Sequence, residues 1–176
     1  MTKSGCCWHQ YSEFIVVNNK PKAIKIETEE MEMPFINSIT ETWNGKAMVK
    51  KEKRTIYPGE IDVILSFNIP KNGKQATLFN TNDKLYYTLI QKDSTVEFSY
   101  PIESVSQRQD FKLENTAGNA AVIFKNKNAV YNIYEKANEV GITITADGKI
   151  YNWTGDLATK KGSLDKLIKV KLDNVY

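Results

Sequence analysis

An Asp-Gly pair at residues 147–148 constrains the fold of this chain more than any other feature. It separates two runs in which apolar and polar residues alternate, ITITA before the pair and KIYNWT after it. A two-residue turn of this kind needs positive φ angles, which Asp and Gly tolerate, so the pair predicts a β-hairpin of fixed register. The predicted facing pairs are Ala146 with Lys149, Ile144 with Tyr151, and Ile142 with Trp153.

This register divides the side chains of the hairpin between the two faces of a sheet. Tyr151 and Trp153 share a face with Ile142 and Ile144. We therefore expect both rings to be buried in the core, where they hold two β layers together. The residues predicted for the opposite face are Thr143, Thr145, Ile150 and Asn152.

The middle of the chain repeats short alternating runs that are separated by turns. The predicted strands lie at residues 61–69, around 78–79, at 85–91 and at 96–100. The turns between them contain Pro, Gly, Asn, Asp and Lys. Four strands about ten residues apart, joined by connections this short, are typical of an antiparallel meander.

The N-terminal third predicts further strands. Residues 11–17 and 23–26 are expected to form a hairpin, because an Asn-Asn-Lys-Pro turn separates them. The Glu-rich segment 27–34 is predicted to be a solvated loop or an edge strand. Residues 34–46 are predicted to form a short helix or a loop that packs Trp43 on the sheet. The basic run 46–54 is predicted to be an edge strand, where Lys discourages further strand pairing.

Two further helical segments are predicted after residue 101. Residues 102–110 are expected to form one or two helical turns, and residues 111–113 a short strand. Ser163 is predicted to cap a short helix with Leu164, Leu167 and Ile168 on one face. The last predicted element is a closing strand over residues 170–175.

These patterns predict a mainly β fold: a single-domain antiparallel β-sandwich or open barrel. We expect a meander of about ten strands with one or two short helices. A chain of 176 residues without repeats or linkers is normally one domain, so residues 1–176 are predicted to form a single domain. Residues 1–10 are expected to be disordered, or to be the remnant left after removal of a signal peptide, since they have no apolar signal segment.

Charge and hydropathy exclude several classes of partner. Lys and Arg number 24 against 21 Asp and Glu, and the net charge is only +3. Arg, which preferentially contacts phosphates and base edges, occurs only at positions 54 and 108, so nucleic acid is not an expected partner. No apolar run reaches the roughly 20 residues of a transmembrane helix. A periplasmic or secreted location is predicted, with the cytoplasm nearly as well supported.

The sequence contains little that indicates catalysis or metal binding. Cys6 and Cys7 are the only cysteines and His9 is the only histidine, so a four-ligand metal site or a nucleophile–histidine pair has few candidates. Motifs such as a Walker loop or GxSxG are missing. We therefore predict a protein that is not an enzyme and uses no cofactor or metal. The carboxylates that an unrecognised acid–base pair would use are Asp62, Glu97, Glu103, Asp110, Glu135, Glu139 and Asp156.

The sequence favours binding of another protein through surface loops. Periplasmic bacterial inhibitors and toxin-immunity proteins have this general character, and a Lys-rich surface would suit an acidic toxin or enzyme whose active cleft is occluded. A carbohydrate-binding or small-ligand-binding β-sandwich is the alternative, and an enzyme with an unrecognised carboxylate pair is a second alternative. The oligomeric state is left open. The residues predicted to meet the partner are Lys71, Asn72, Lys74, Asn82, Asp83, Lys84, Asn126, Lys127, Asn128, Lys160 and Lys161.

Overall fold

The structure, a computed structural model, describes residues 2–5, 7–101, 110–116 and 118–176. The chain divides into two compact units, residues 1–59 and residues 60–176, and each is described by itself. The described residues form fifteen strands in three antiparallel sheets, with one short α-helix. The mainly β fold is therefore confirmed, while a single domain over residues 1–176 stays a prediction. The helical turns predicted for residues 102–110 fall, apart from Asp110, outside the described residues.

The first unit is one five-stranded meander in which strands adjacent in sequence are adjacent in the sheet. Asn18 and Asn19 take up positive φ angles of 51° and 58° at the first long hairpin, as the predicted turn requires. The strands are β1 (Thr2–Ser4), β2 (Trp8–Val17), β3 (Lys20–Glu32), β4 (Phe35–Trp43) and β5 (Met48–Ile56).

Two predictions for this unit are wrong, and one is confirmed. The segment predicted as a helix or loop is β4, because pairing with β3 and β5 on both sides overrides a weak helical spacing. The Glu-rich segment belongs to β3, a central strand. Its acidic side chains are tolerated there because, of the described residues in this unit, only Pro34 and Phe35 are buried. The basic strand β5 lies at the edge of the sheet, as predicted.

The second unit begins with the predicted central meander. A short 3₁₀ turn at Pro58–Glu60 precedes it along the chain. Positive φ angles at Gly73, Asn82 and Asp83 form the tight turns of its first two hairpins. Its strands are β6 (Asp62–Ile69), β7 (Lys74–Thr81), β8 (Lys84–Ile90) and β9 (Val96–Tyr100).

The next five strands form the second sheet of this unit, also in sequential order. Asp147 and Gly148 have φ angles of 49° and 72°, and the predicted hairpin register is confirmed. The strands are β10 (Lys112–Thr116), β11 (Asn119–Asn126), β12 (Ala129–Lys136), β13 (Glu139–Ala146) and β14 (Lys149–Thr154).

The burial predicted for the hairpin rings is only partly correct. Trp153 is half-buried against the core, but Tyr151 is 46% exposed and does not belong to it. Both residues lie on β14, which is the edge strand of its sheet. Because an edge strand is covered less completely than the strands inside it, the correct register was not sufficient to bury the ring.

The two sheets of the second unit face each other around one hydrophobic core, which makes this unit a β-sandwich. Tyr87 from β8 contacts Phe124 of β11 at a ring-centroid distance of 5.4 Å, and Phe124 stacks on Tyr131 of β12 at 4.7 Å. Fully burying a large apolar side chain contributes about 2 kcal/mol, so these rings account for much of the cohesion between the layers. Further fully buried members of the core are Ile64, Leu65, Phe67, Ile69, Leu78, Leu85, Ile133 and Ile142.

The C-terminal segment closes one side of the sandwich with little regular structure. After a 3₁₀ turn at Leu157–Thr159, β15 (Lys161–Gly162) pairs with β6, and helix α1 (Lys166–Lys169) follows. The helix exists as predicted, but Ser163 lies two residues before its N-cap and accepts a bond from the N–H of Asp165. The closing strand predicted at 170–175 is wrong. That segment makes one isolated bridge, between Val175 and Phe111.

Candidate functional site

The predicted partner-binding residues of the first sandwich sheet lie on two turns at opposite ends of that sheet, because successive hairpin turns alternate ends. In the β6–β7 turn, Asn72 accepts a bond from the N–H of Lys74, and Lys74 Nζ lies 2.5 Å from Glu97 Oε1. Hydrogen bonding from Lys74 holds the pKa of Glu97 below its ordinary value. These contacts shape the turn itself, and Lys71 remains exposed beside it.

The second predicted turn is engaged by the end of the chain. The backbone carbonyl of Asp83 accepts a hydrogen bond of 2.8 Å from the N–H of Asp173. Asn82 and Asp83 are exposed and Lys84 is half-buried. The C-terminal segment therefore packs beside this turn, which reduces the surface that the turn can present.

The remaining predicted residues lie on the second sheet and on the loop after it. Asn128 donates to Asp147 at 2.5 Å, which ties the β11–β12 turn to the β13–β14 turn, and Asn126 and Lys127 complete the first of these turns. Lys161 is exposed on β15. The eleven residues do not form one continuous surface, because the turns at 71–74 and 82–84 lie at opposite ends of a sheet.

Lys160 occupies a different environment from an exposed loop lysine. Its ammonium pairs with the buried carboxylate of Glu135, which also accepts bonds from Ser163 Oγ at 3.0 Å and from the N–H of Leu164 at 2.7 Å. Burial raises the pKa of Glu135, but these hydrogen bonds and the charge of Lys160 outweigh burial and lower the pKa below its ordinary value. This cluster fastens the loop after β14 to β12.

Six of the seven carboxylates considered for acid–base chemistry lie in the described part of the chain, and each of these is paired with a donor. Glu103 lies outside the described residues. His9 contacts Glu29, with 3.1 Å between Nε2 and Oε2, and both side chains are largely exposed. The part of the chain that the structure describes brings no group of three His, Cys, Asp or Glu side chains together as a metal site. The pairs are Asp62 with Lys166, Glu97 with Lys74, Asp110 with Asn174, Glu135 with Lys160, Glu139 with Lys136, and Asp156 with the N–H of Ala158.

The best candidate for a binding site is the free edge of β2 in the first unit, which was not among the residues predicted to meet a partner. The short strand β1 pairs only with residues 9–11 of β2. From residue 13 to residue 17, no strand of the described chain pairs with β2 on the side away from β3. The four residues Phe14, Ile15, Val16 and Val17 are all exposed, and Val16 is 76% exposed.

The two edges of this sheet differ in chemistry. At the far edge, β5 carries Lys50, Lys51, Lys53 and Arg54, and Lys50 pairs with Glu52 at 2.5 Å. Charged side chains on an edge strand oppose the addition of another strand. The β2 edge has no charged side chain between Phe14 and Val17. One edge of the sheet is therefore protected against strand addition and the other is not.

The signal for this site was present in the sequence as the run FIVV, which was predicted to be a strand. Its position at an uncovered edge depends on the order of the strands and on the shortness of β1, neither of which a local pattern specifies.

The second unit belongs to the class of antiparallel β-sandwiches. None of the helices among the described residues has the length and apolar composition of a membrane span. A comparison with protein-family models finds no match to this chain, and a comparison with curated proteins finds none either.

Proposed function

We propose that this chain is a non-enzymatic protein-binding protein that captures an extended segment of its partner on the free edge of β2. The observation that supports the proposal most directly is the exposed, uncharged run Phe14–Val17 on an edge that no strand of the described residues covers. A strand edge offers a row of backbone N–H and C=O groups, and proteins that leave such an edge uncovered without charges use it or aggregate.

The side chains of β2 define what the partner segment should look like. Successive residues point to opposite faces, so Phe14 and Val16 lie on one face of the sheet and Ile15 and Val17 on the other. A bulge between Glu13 and Phe14 shifts the register there and increases the local twist. The segment that fits is extended, about five residues long, and apolar on both faces. Its backbone hydrogen bonds would supply affinity, and its side chains specificity.

A finer form of the proposal is that binding occludes the active cleft of a toxin or another enzyme. In this form the exposed turns of the second unit act by themselves, and Lys71 or Lys127 would contact an acidic rim around that cleft, since unlike charges increase the rate of encounter. This form makes a separate requirement: replacing both lysines by Glu should slow association markedly and leave the dissociation rate nearly unchanged.

The proposal is tested with one variant at each edge of the sheet. Val16→Lys places a charge on the free edge at a position that is 76% exposed, and Val49→Lys makes the same change on β5, where the side chain is 51% exposed. The tagged full chain is used to isolate its partner from cells of the native organism, and affinity is then measured with the purified partner. We expect Val16→Lys to weaken binding at least tenfold and Val49→Lys to leave it unchanged.

Amide hydrogen exchange on the purified complex provides the structural test. Strand addition should protect amides within residues 13–17 and leave those of β5 unchanged. Equal affinities for the two variants, or protection confined to the turns, would contradict the proposal. Retention of no protein at all would also contradict it. If light scattering shows a dimer of this chain with the same protected amides, the edge serves self-association and a foreign partner is excluded.

A further inference from the structure

The outer face of the second sandwich sheet contains a depression of about 600 Å³, the size of a small-molecule site. It lies across β10 to β14, on the face that points away from the hydrophobic core. The row Asn132, Thr143 and Asn152 crosses three adjacent strands in register and lines its floor. This site is in the second unit and is separate from the β2 edge.

A missing side chain on β13 makes room for an aromatic wall. The hydroxyl of Tyr134 lies 2.6 Å from where a Cβ would be at Gly141, so the ring occupies space that any other residue would fill. Tyr134 donates a hydrogen bond of 2.7 Å from this hydroxyl to Glu139. Burial, together with this bond and the charge of Glu139, raises the pKa of Tyr134 to about 12. The ring is therefore fixed in place by packing and by a hydrogen bond.

The floor of the depression holds a polar atom that needs a partner. Asn132 Oδ1 is buried and has no hydrogen-bond partner among the described residues. Thr143 donates its hydroxyl hydrogen to Asn152 Oδ1 at 3.1 Å, which fixes the Asn152 amide with its NH₂ group as a donor. A buried acceptor without a partner destabilises a protein, and Asn132 is one of the residues that line the depression. A ligand seated against its amide would supply the missing hydrogen bond.

The charges around the depression are neutralised in pairs. Glu114 pairs with Lys112 at 2.7 Å, and Lys136 pairs with Glu139 at 3.3 Å. A charged ligand would have to compete with these pairs. Amides and hydroxyls in a row beside one fixed ring suit a neutral molecule that carries several hydroxyl groups. Among the described residues that line the depression, Tyr134 is the only aromatic one, so recognition there rests mainly on hydrogen bonds.

We propose that this depression binds a neutral saccharide. A sugar hydroxyl donates to Asn132 Oδ1, and the Asn152 amide donates to a second sugar oxygen. The apolar face of the sugar ring packs on Tyr134 in place of the Lys136 ammonium, which lies 4.8 Å from the centroid of the tyrosine ring. Planar amides and hydroxyls positioned by a rigid sheet recognise sugars in this way because each hydroxyl both donates and accepts. This binding goes beyond the proposed capture of a protein segment and does not depend on it.

Saturation-transfer NMR on the full chain tests the proposal with defined probes: methyl β-glucoside, methyl α-mannoside, N-acetylglucosamine, xylotriose and, as an acidic comparison, galacturonic acid. We expect at least one neutral probe to bind, and galacturonic acid to bind more weakly or not at all. Asn132→Ala should lower the affinity for the neutral probe that binds by at least tenfold. Thr145→Ala, an exposed change on the same face of β13 but outside the depression, should leave the affinity unchanged.

A second variant separates binding from folding. Asn132→Leu removes the unpaired acceptor, so its melting temperature should equal or exceed that of the wild type while saccharide binding is lost. The proposal is overturned if none of the neutral probes binds. It is also overturned if Asn132→Ala and Thr145→Ala bind equally well, or if Asn132→Leu melts well below the wild type, which would show that the amide serves the fold.

Discussion

The side-chain amide of Asn174 makes both of the hydrogen bonds that a neighbouring strand would offer to Leu85. Asn174 Oδ1 accepts from the N–H of Leu85 at 2.8 Å, and Asn174 Nδ2 donates to the carbonyl of Leu85 at 3.0 Å. Strand β9 pairs with β8 only from Tyr87 onward, so Leu85 lies beyond its reach. The C-terminal segment thus completes a sheet edge with a side chain, and both residues are fully buried.

The first prediction follows from this arrangement. Asn174→Ala leaves the N–H and C=O of Leu85 buried without partners, and each such group costs about 1–3 kcal/mol. We expect the free energy of unfolding to fall by about 3 kcal/mol in urea titrations. Asn128→Ala removes an exposed amide and should cost less than about 0.5 kcal/mol. Equal effects of the two changes would contradict the role assigned to Asn174.

The second prediction concerns pH and the buried pair of Glu135 with Lys160. Since the folded pKa of Glu135 is lowered, its ionised form contributes stability that is fully present above the unfolded value near 4.5. That contribution is lost as the pH falls through the lower folded value. We expect Glu135→Gln to cost on the order of 2 kcal/mol at pH 7, with the difference from wild type shrinking as the pH falls from 5 to 3.

The pH measurement has an internal control. Lys160→Gln removes a donor to the same carboxylate. Once Glu135 has been replaced by Gln, adding Lys160→Gln should therefore change the free energy of unfolding no further. The double variant is therefore expected to show the pH profile of Glu135→Gln alone, in unfolding curves recorded at each pH. If the stability of the double variant depended on pH even less than that of Glu135→Gln, Lys160 would act on stability through some other group.

The third prediction compares two glycines with nearly the same backbone conformation. Gly162 has a φ of +75°, and a Cβ there would lie 2.1 Å from the carbonyl oxygen of Ile64. Gly148 has a φ of +72° with nothing within 4 Å. Alanine at Gly148 should cost about 1 kcal/mol, from the left-handed backbone alone. Alanine at Gly162 should cost about 3 kcal/mol or more, because overpacking is added. Similar melting temperatures for the two alanine variants would show that β15 can shift to make room for the added Cβ at little cost in stability.

The fourth prediction is a stabilising change in the core. Tyr87 is buried, and its hydroxyl has no hydrogen-bond partner in the described part of the chain. Tyr87→Phe keeps the ring and removes the unpaired oxygen, so we expect the free energy of unfolding to rise by about 1 kcal/mol. The matched change Tyr134→Phe breaks the bond to Glu139 and should lower it by about 1 kcal/mol. Loss of stability in Tyr87→Phe would reveal a partner for the hydroxyl.

The strands that were predicted correctly are those specified by residues close together in sequence, and the strand that was missed depends on distant residues. The hairpin at Asp147 and Gly148 and the meander from Asp62 to Tyr100 were predicted, because turn residues and period-two alternation act within a few residues. Strand β4 was missed because Ile36, Ile39 and Trp43 fit a helical spacing nearly as well as a strand. Only its partners on both sides decide the matter, and they are distant in sequence.

The surroundings of Lys160 and of the depression were even less accessible from the sequence. Lys160 was placed among the partner-binding residues, but its environment depends on Glu135, which lies 25 residues away along the chain. The depression beside Asn132 needs Gly141 opposite Tyr134. This pairing follows from the register of β12 against β13 and not from either strand alone. A pattern scanned along one strand does not contain such cross-strand neighbours.

The amino-acid sequence by itself determined that this protein is mainly β, where its tight turns fall, and which residues pair across the Asp147–Gly148 hairpin. These are consequences of backbone conformations that particular residues permit. Tertiary structure decided which strands lie at edges and which rings are covered. It left Val16 on an uncovered edge and Tyr151 in solvent, because exposure depends on how far a neighbouring strand or facing layer extends, and residues distant in sequence set that extent.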